Sequence, residues 1–462
     1  MSAVAVARSA ARVNLLRYRR SWGLWLLLIV APVGARFMIA GEEGDGVQIA
    51  IDGHLPVLTA PVLGIWLGIV VSTLLLPVAH VYLRANTTHR QPWQVEDVTA
   101  ASRVAIMLGR FAADAAILLA VLAALTLAGW FLGWLLVEGP LDLLAISYGL
   151  WIVAAPALIG LAALRALLNA LPWLRGGLGD VCFLVLWIMA IGMPAALEGR
   201  PSTFAANLMD FAGYYRPLVG GAPAGSDSFT IGSTTLKPGR IMLDADKGLA
   251  SPGYVASRLA WIGIAITVAA FAGLLYRPRR ASARAARTGR MARWLAGPPP
   301  HPADPLAPPA GPSPHPRAGL VLMEMRLIGT GRTFAILAGL AAMLGMVGDY
   351  RHLGSPAALL LLVFALSAHA GRSEARGLLT LAATAPWPPL ARRAAFVIAG
   401  AAWSLLLALP AAIMRLSPDP LLLATTTGTI MALIAIALAT LGRSAFAPRL
   451  VLLAIWYVYF SS

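Results

Sequence analysis

The stretch Arg372–Phe396, RSEARGLLTLAATAPWPPLARRAAF, is a polar segment between two apolar runs of the kind that cross a bilayer. An acidic residue, Glu374, is followed by Gly377 and a short apolar helical patch. Prolines then form a corner, and a basic pair, Arg392 and Arg393, precedes the next apolar run. This order predicts a loop on the aqueous side of a membrane that turns the chain back into the bilayer. We therefore expect a chain that crosses a membrane repeatedly.

The composition places the whole chain in the same class. Hydrophobic residues make up 59% and charged residues 12%, whereas soluble domains carry about 25% charged residues. The net charge is +16, but the basic residues lie at the ends of apolar runs, where they set orientation in a membrane. Nucleic acid is therefore not an expected partner. A single cysteine, Cys182, allows neither an intrachain disulfide nor a thiolate metal cluster.

The hydropathy pattern predicts an all-α polytopic membrane protein with about eleven spans. Residues 1–20 hold five arginines around apolar side chains and predict a helix lying in the headgroup layer. The apolar run that follows is about 20 residues long, and we interpret it as a retained span; the alternative is a cleaved signal. The predicted spans are 21–40, 57–83, 111–137, 143–170, 177–197, 255–276, 334–348, 356–369, 394–413, 421–441 and 445–460.

Charge predicts the orientation. The segments assigned to the inner side hold 27 of the 36 Lys and Arg residues, as expected when the amino end is cytoplasmic. The loop at 41–54 has acidic but no basic residues and is expected outside. Residues 198–254 form a small extracytoplasmic excursion between spans 5 and 6, with a hairpin-like SFTIGSTTLKPGR. It is too small for an enzyme domain.

Three segments recur in the same order on either side of a linker. LLRYRRSWGLW (15–25) is similar to LIGTGRTFAIL (327–337), and VTAASRVAIMLGRF (98–111) to LAATAPWPPLARRAAF (381–396). IGLAALRALLNALPWLRGGLGDVCFLVLWIM (159–189) recurs loosely as MALIAIALATLGRSAFAPRLVLLAIWYVYF (431–460). Three ordered matches indicate a parallel duplication. We predict a first half of six spans (1–280), an Arg/Pro-rich cytoplasmic linker (281–318) and a second half of five spans (319–462).

This order of features resembles the ABC-2 type transporter permeases. The shared features are an amphipathic elbow helix, a loop after the second span with a short coupling helix, and an outer segment between the fifth and sixth spans. The family's motifs are diffuse, so the resemblance rests on order and topology. It implies the permease subunit of an ATP-binding cassette exporter in the bacterial cytoplasmic membrane, driven by a separate cytoplasmic ATPase subunit in two copies. The first-half loop departs from the pattern, since Glu96 and Asp97 are not followed by a Glu-then-Gly step.

The resemblance also implies which residues meet the ATPase. They lie on two inner bends, and spans three and nine would carry a displacement of the bends to a pathway between the halves. The residues given this contact role are Glu96, Asp97, Arg103, Glu374, Arg376, Trp387 and Arg393.

The chain lacks an ATPase signature of its own. A GxxxxGK[ST] loop needs a lysine that reaches phosphates, and the two lysines, Lys237 and Lys247, lie in the outer segment in other contexts. HExxH and GxSxG do not occur, and the histidines have no ligand spacing. No catalytic residue, metal site or cofactor is therefore expected on this chain, and ATP and magnesium would bind the partner. The other expected partners are membrane lipid and an exported substrate that the sequence does not identify.

Charged residues inside spans leave an alternative open. Asp114 is four residues from Arg110, a spacing that favours a structural ion pair, and the other interpretation gives both a pathway or gating role. Arg165 and Asp180, near the inner ends of their spans, are interpreted as snorkelling or paired. The rival function is an ATP-independent secondary transporter or a membrane scaffold. The lack of deeper acidic residues counts against proton-coupled transport.

Two glycine pairs suggest where helices approach each other. Gly64 with Gly68 and Gly129 with Gly133 form GxxxG steps within predicted spans. Such steps predict close helix packing.

Overall fold

A computed structural model describes residues 2–40, 46–86, 101–171, 174, 177–226, 228–232, 234–276, 316–375, 387–442 and 446–461. The chain divides into two compact units, Met1–Arg280 and Ala281–Ser462. Both are mainly helical in their described parts, which confirms the predicted all-α class. Most of the predicted linker lies outside the described residues, and the first helix after it begins at Pro316.

Unit 1 contains eleven described helices and four short strands. The helices are α1 Ala3–Arg20, α2 Trp22–Ala35, α3 Ala60–Thr73, α4 Leu76–Asn86, α5 Arg103–Leu136, α6 Leu143–Ala170, α7 Gly177–Gly192, α8 Phe204–Met209, α9 Tyr215–Gly221, α10 Ala245–Leu249 and α11 Tyr254–Leu275. Short 3-10 turns at Arg36–Met38 and Met193–Leu197 follow α2 and α7. The strands are β1 Gln48–Ile51, β2 Leu55–Pro56, β3 Phe229–Gly232 and β4 Arg240–Ile241.

Unit 2 contains seven described helices and no strand in its described part. The helices are α12 Pro316–Ile328, α13 Arg332–Val347, α14 Ser355–His369, α15 Arg372–Ala375, α16 Pro389–Arg415, α17 Asp419–Gly442 and α18 Phe446–Ser461. A π-helical turn at Tyr350–Gly354 leads directly into α14.

Among the described residues, six helices are long and apolar enough to cross a membrane: α5, α6, α11, Tyr350–His369, α16 and α17. Two bent pairs raise the number to eight, namely α1 with Gly23–Met38 at 70° and α3 with α4 at 50°. A helix lies at each of the eleven predicted span positions, but α7, α13 and α18 have 16 residues each. The multi-pass character is therefore confirmed, and the number eleven is not.

Two small two-stranded sheets join loops that are far apart in sequence on one side of unit 1. β1 pairs antiparallel with β3, and β2 pairs parallel with β4. The predicted hairpin is therefore wrong, because β3 and β4 each pair with a strand that follows the first span. Arg240 also forms an ion pair with Glu138 in the α5–α6 connection. The loop after α2, the α5–α6 connection and the segment before α11, which were all predicted on one side of the membrane, thus meet. We call this side of unit 1 the outer side and the opposite side the inner side.

The outer segment before α11 folds around a buried charge pair. The Asp210 carboxylate is 1% exposed and accepts hydrogen bonds from the backbone N–H of Gly213 at 2.8 Å and of Tyr215 at 2.9 Å. Arg258, fully buried, donates to the carbonyl oxygens of Phe211, at 2.9 Å, and of Asp210. Burial raises the pKa of Asp210, and the nearby Arg258 charge opposes that rise. The pair ties the segment to the first turn of α11.

Close glycine packing brings α3 onto α6. A Cβ added to Gly64 would lie 2.3 Å from the carbonyl oxygen of Ile146, and one added to Gly68 would lie 2.9 Å from the Val153 side chain. Gly133 faces the Ile146 side chain, at 2.7 Å from such a Cβ. The close approach predicted from the GxxxG steps is confirmed, because only glycine leaves room for these contacts.

The two units share one order of helix packing. In unit 1, α1 and α2 pack against α5, α5 against α6, and α4 against α7; in unit 2, α12 and α13 pack against α16, α16 against α17, and α14 against α18. The three recurring segments fall on corresponding helices of these two sets. α11 packs on α5 and α6 and has no counterpart in the described part of unit 2. Equivalent helices therefore make equivalent contacts, as a duplication would produce.

Candidate functional site

Each unit carries a helix that packs against the long helix leaving its inner bend, α1 against α5 and α12 against α16. In unit 1 the buried face of α1 consists of Ala10, Asn14 and Tyr18, spaced four residues apart. α1 crosses α5 closely, because a Cβ on Gly109 would lie 2.3 Å from the carbonyl oxygen of Ala7. In unit 2 the indole N–H of Trp403 on α16 donates to the carbonyl of Met325 on α12 at 2.9 Å. The helices α1 and α12 are thus fixed to α5 and α16, respectively.

Two ion pairs hold the inner bend of unit 2. Arg372 Nη2 lies 2.6 Å from Glu324 Oε1 on α12, and Arg393 Nη2 on α16 lies 2.9 Å from Glu374 Oε1. The acidic side chains are the more covered partners, with 7% exposure for Glu324 and 11% for Glu374. Arg372 and Glu374 both belong to α15, so this single turn is tied to α12 and to α16 at once.

Burial controls the titration of one of these acids. Burial raises the pKa of Glu324, and the charge and hydrogen bond of Arg372 act in the opposite direction. The helix that carries Glu324, α12, is not among the candidate spans. Covering a carboxylate disfavours its charged form, so Glu324 depends on Arg372 to remain ionised.

The predicted ATPase-contact residues fall into three groups. Glu374 and Arg393 are brought together and pair with each other, while Arg103 lies at the first position of α5 and donates to the carbonyl of Tyr276 at 3.4 Å. Trp387 is half-buried just before α16. Glu96, Asp97 and Arg376 lie outside the described residues, as does the apolar patch 378–381.

Unit 1 contains a set of polar side chains where α1, α4, α5, α6 and α7 meet. We call it the inner polar cluster and define it as Tyr18, His80, Arg84, Asp114, Arg165 and Asp180. The Tyr18 hydroxyl donates to Asp114 Oδ1 at 2.6 Å, with Tyr18 3% and Asp114 9% exposed. Arg165 is close enough to Asp114, Tyr18 and Arg84 for their charges to interact. The cluster therefore joins the amphipathic helix α1 to the spans.

Asp114 accepts its hydrogen bond from Tyr18, which is distant from it in sequence. Arg110, the predicted partner at i−4, lies over the ring of Tyr276, 5.8 Å from the centroid. Its charge still acts on Asp114 from that position. The structure thus adds the Tyr18 hydroxyl to the predicted pairing, so that α1 is attached to the carboxylate.

The other carboxylate of the cluster is shared between two basic residues. Asp180 forms an ion pair with Arg84, and its Oδ1 atom lies 3.2 Å from His80 Nε2. The His80 ring stacks on Phe183, with centroids 3.8 Å apart. The predicted pairing of Asp180 is confirmed, and it connects α7 to α4.

Sequence reasoning missed Tyr18, His80 and Glu324. The signal for Tyr18 was the four-residue spacing of Ala10, Asn14 and Tyr18, which defines one helix face. His80 and Glu324 carried no comparable signal, because their partners are 100 and 48 residues away.

Across the described ranges, no group of three or more His, Cys, Asp or Glu side chains is arranged to hold a metal ion. Comparison of the chain with protein-family models, with curated proteins and with solved structures gave no match.

Proposed function

We propose that this chain is the permease subunit of an ATP-binding cassette exporter, which moves a substrate outward across the bacterial cytoplasmic membrane with ATP hydrolysed by a separate cytoplasmic subunit. One observation carries the proposal. In both units the helix that precedes the first predicted span packs against the long helix that emerges from an inner bend, as α1 does against α5 and α12 against α16. A force on the bend would therefore act on a complete span.

The lengths of these helices suit such transmission. α16 has 27 residues and α5 has 34, which correspond to about 40 and 50 Å at 1.5 Å per residue. Both exceed the hydrocarbon thickness of about 30 Å. A tilt imposed at the inner end of either helix would thus be transmitted across the hydrocarbon layer to its outer end.

The ion pairs give the bend of unit 2 a defined role. Glu374 is mostly covered by Arg393, so it positions the bend and does not present a free charge. Trp387 and Leu390, which is 75% exposed at the start of α16, supply an apolar contact beside it. We assign the ATPase contact to this apolar edge together with Arg376 and the predicted residues of the first bend, Glu96, Asp97 and Arg103.

Co-purification of this chain with a candidate cytoplasmic P-loop ATPase subunit tests the proposal. Glu374→Lys combined with Arg376→Glu is expected to abolish ATPase binding and transport in proteoliposomes. Glu198→Lys, which makes a similar charge change at an exposed outer position, is the matched control and is expected to leave both intact. If the double variant binds and transports like the wild type, the assignment is wrong.

A charge swap separates stability from docking. Glu374→Arg with Arg393→Glu keeps an ion pair in reversed order, so we expect the thermal stability lost in either single variant to return. Binding that stays lost in the swapped variant would indicate direct contact with the ATPase. Transport by the purified chain alone, driven by a proton gradient without ATP, would instead establish the ATP-independent transporter.

A further inference from the structure

Arg165 is a buried cation whose hydrogen-bonding capacity is not fully used within the described chain. It lies on α6, is 3% exposed, and its Nε is buried without a hydrogen-bond partner among the described residues. A guanidinium group presents five N–H donors in a planar fork. Buried donors in proteins are nearly always satisfied, so one that is not points to a bound water or ion.

A second unused nitrogen lies in the same cluster. His80 is 3% exposed and its Nδ1 is also buried without a hydrogen-bond partner in the described ranges. The charges of Arg165 and Arg84 both act on His80, so the three basic side chains are neighbours. The inner polar cluster thus contains two buried nitrogens, on α4 and α6, that have no hydrogen-bond partner in the described ranges.

The carboxylates of the cluster are already engaged. Asp114 accepts the Tyr18 proton at 2.6 Å, and Asp180 is bound by Arg84 and His80 Nε2. Among the described residues, neither carboxylate forms an ion pair with Arg165, which is buried. Because an excess buried cation is costly in a medium of low dielectric constant, the cluster favours an additional anion.

The position of Arg165 indicates where the anion would come from. It lies five residues before the end of α6 at Ala170, about 8 Å along the helix axis. This is the depth at which lipid headgroups meet the hydrocarbon layer. α7, which contributes Asp180, exposes Leu184, Ile188 and Met189, a surface suited to acyl chains.

We propose that Arg165 and His80 form a binding site for a phosphate group at the inner side of unit 1. The guanidinium fork would bind two phosphate oxygens. Because His80 Nε2 donates to Asp180, Nδ1 carries no proton and would accept a hydrogen bond from a phosphate hydroxyl or a bridging water. The phosphate belongs to an anionic phospholipid or to a free phosphate ion. The site does not depend on the ATPase partner and would be present in the isolated chain.

Thermal unfolding of the full chain in detergent, followed by tryptophan fluorescence, tests this site. The probes are dioleoyl phosphatidylglycerol, inorganic phosphate and, as a phosphate-free control with the same acyl chains, dioleoylglycerol. We expect at least one phosphate probe to raise the Tm of the wild type and dioleoylglycerol to have no effect. Arg165→Gln should weaken the apparent affinity roughly tenfold to a hundredfold, as expected when hydrogen bonds to a charged group are lost. Arg12→Gln, at an exposed position on α1, should not change it.

Each outcome decides between the alternatives. A shift with phosphatidylglycerol alone identifies a lipid site, and a shift with inorganic phosphate identifies a site for the free ion. Equal shifts with dioleoylglycerol, or an unchanged affinity in Arg165→Gln, overturn the proposal. If neither phosphate probe shifts the Tm of the wild type, the proposal is overturned by that result alone. If Arg165→Gln does not fold, Arg165→Lys, which keeps the charge and loses the fork, should still bind less tightly than the wild type.

Discussion

Removing one oxygen atom from Tyr18 tests how the amphipathic helix of unit 1 is held. Tyr18→Phe keeps the ring, which lies 6.1 Å from that of Tyr82, and deletes only the hydroxyl that donates to Asp114. Both partners of this bond are buried. The substitution creates almost no cavity, so its effect reports the hydrogen bond.

The magnitude follows from the geometry. A hydrogen bond to a charged group contributes about 1.5–3 kcal/mol to stability, and deleting one partner leaves the other buried and unsatisfied. The charges of Arg165 and Arg110 still act on Asp114 after the substitution, which reduces the cost. We therefore expect the free energy of unfolding to fall by about 2 kcal/mol.

Unfolding in mixed micelles with increasing dodecyl sulfate, followed by fluorescence, measures this change. Tyr148→Phe is the matched control, since Tyr148 is 50% exposed on α6, and it should remain within about 0.5 kcal/mol of the wild type. In combination with Asp114→Asn, the two losses should not add, because both act on one contact. A Tyr18→Phe protein as stable as the control would refute the attachment of α1 through Asp114.

Three further expectations concern other parts of the fold. Gly64→Ala should destabilise the protein by about 1–3 kcal/mol through overpacking against α6, whereas Gly263→Ala, with open space around its Cβ, should be neutral or stabilising; equal effects would contradict the close crossing. Asp210→Asn should cost about 2 kcal/mol, because the amide can accept only one of the two backbone N–H bonds that the carboxylate accepts, and limited proteolysis of the outer segment should accelerate; unchanged cleavage would count against this. Because burial raises the pKa of Glu324, its contribution to stability is present below its unfolded pKa and is lost as pH rises through the folded value. The difference between the Tm of Glu324→Gln and that of the wild type should therefore increase in favour of the variant as pH rises from about 4 to 7. Parallel pH profiles of the two Tm values would contradict this.

Span positions were predictable because hydropathy is local. The predicted span 143–170 coincides with α6, Leu143–Ala170, and the predicted 255–276 differs from α11 by one residue at each end. The bends were not predicted. α3 and α4 lie in one largely apolar run of sequence. The 50° break between them follows Ser72 and Thr73 and precedes Pro77, but the length of the run alone favoured a single straight span.

Contacts between distant segments were the part that sequence could not supply. The outer strands looked like a local hairpin, yet β3 pairs with β1, because the alternating pattern defines a strand and not its partner. The bond between Tyr18 and Asp114 spans 96 residues. By contrast, Glu374 and Arg393 were recognised as a charged pair of residues on one bend, although their bond to each other was not foreseen.

The long separation of the outer strands has a consequence for biosynthesis. Asp52 bonds to Ser228 across 176 residues, so β1 leaves the ribosome well before β3 exists. Chains emerge amino end first, so β1 must wait, unpaired with β3, until the helices α3 to α7 have been synthesised. Completion of the outer sheet would then mark the moment at which unit 1 is fully assembled, and a nascent chain halted before residue 229 would expose an open edge to proteases and chaperones on that side of the membrane.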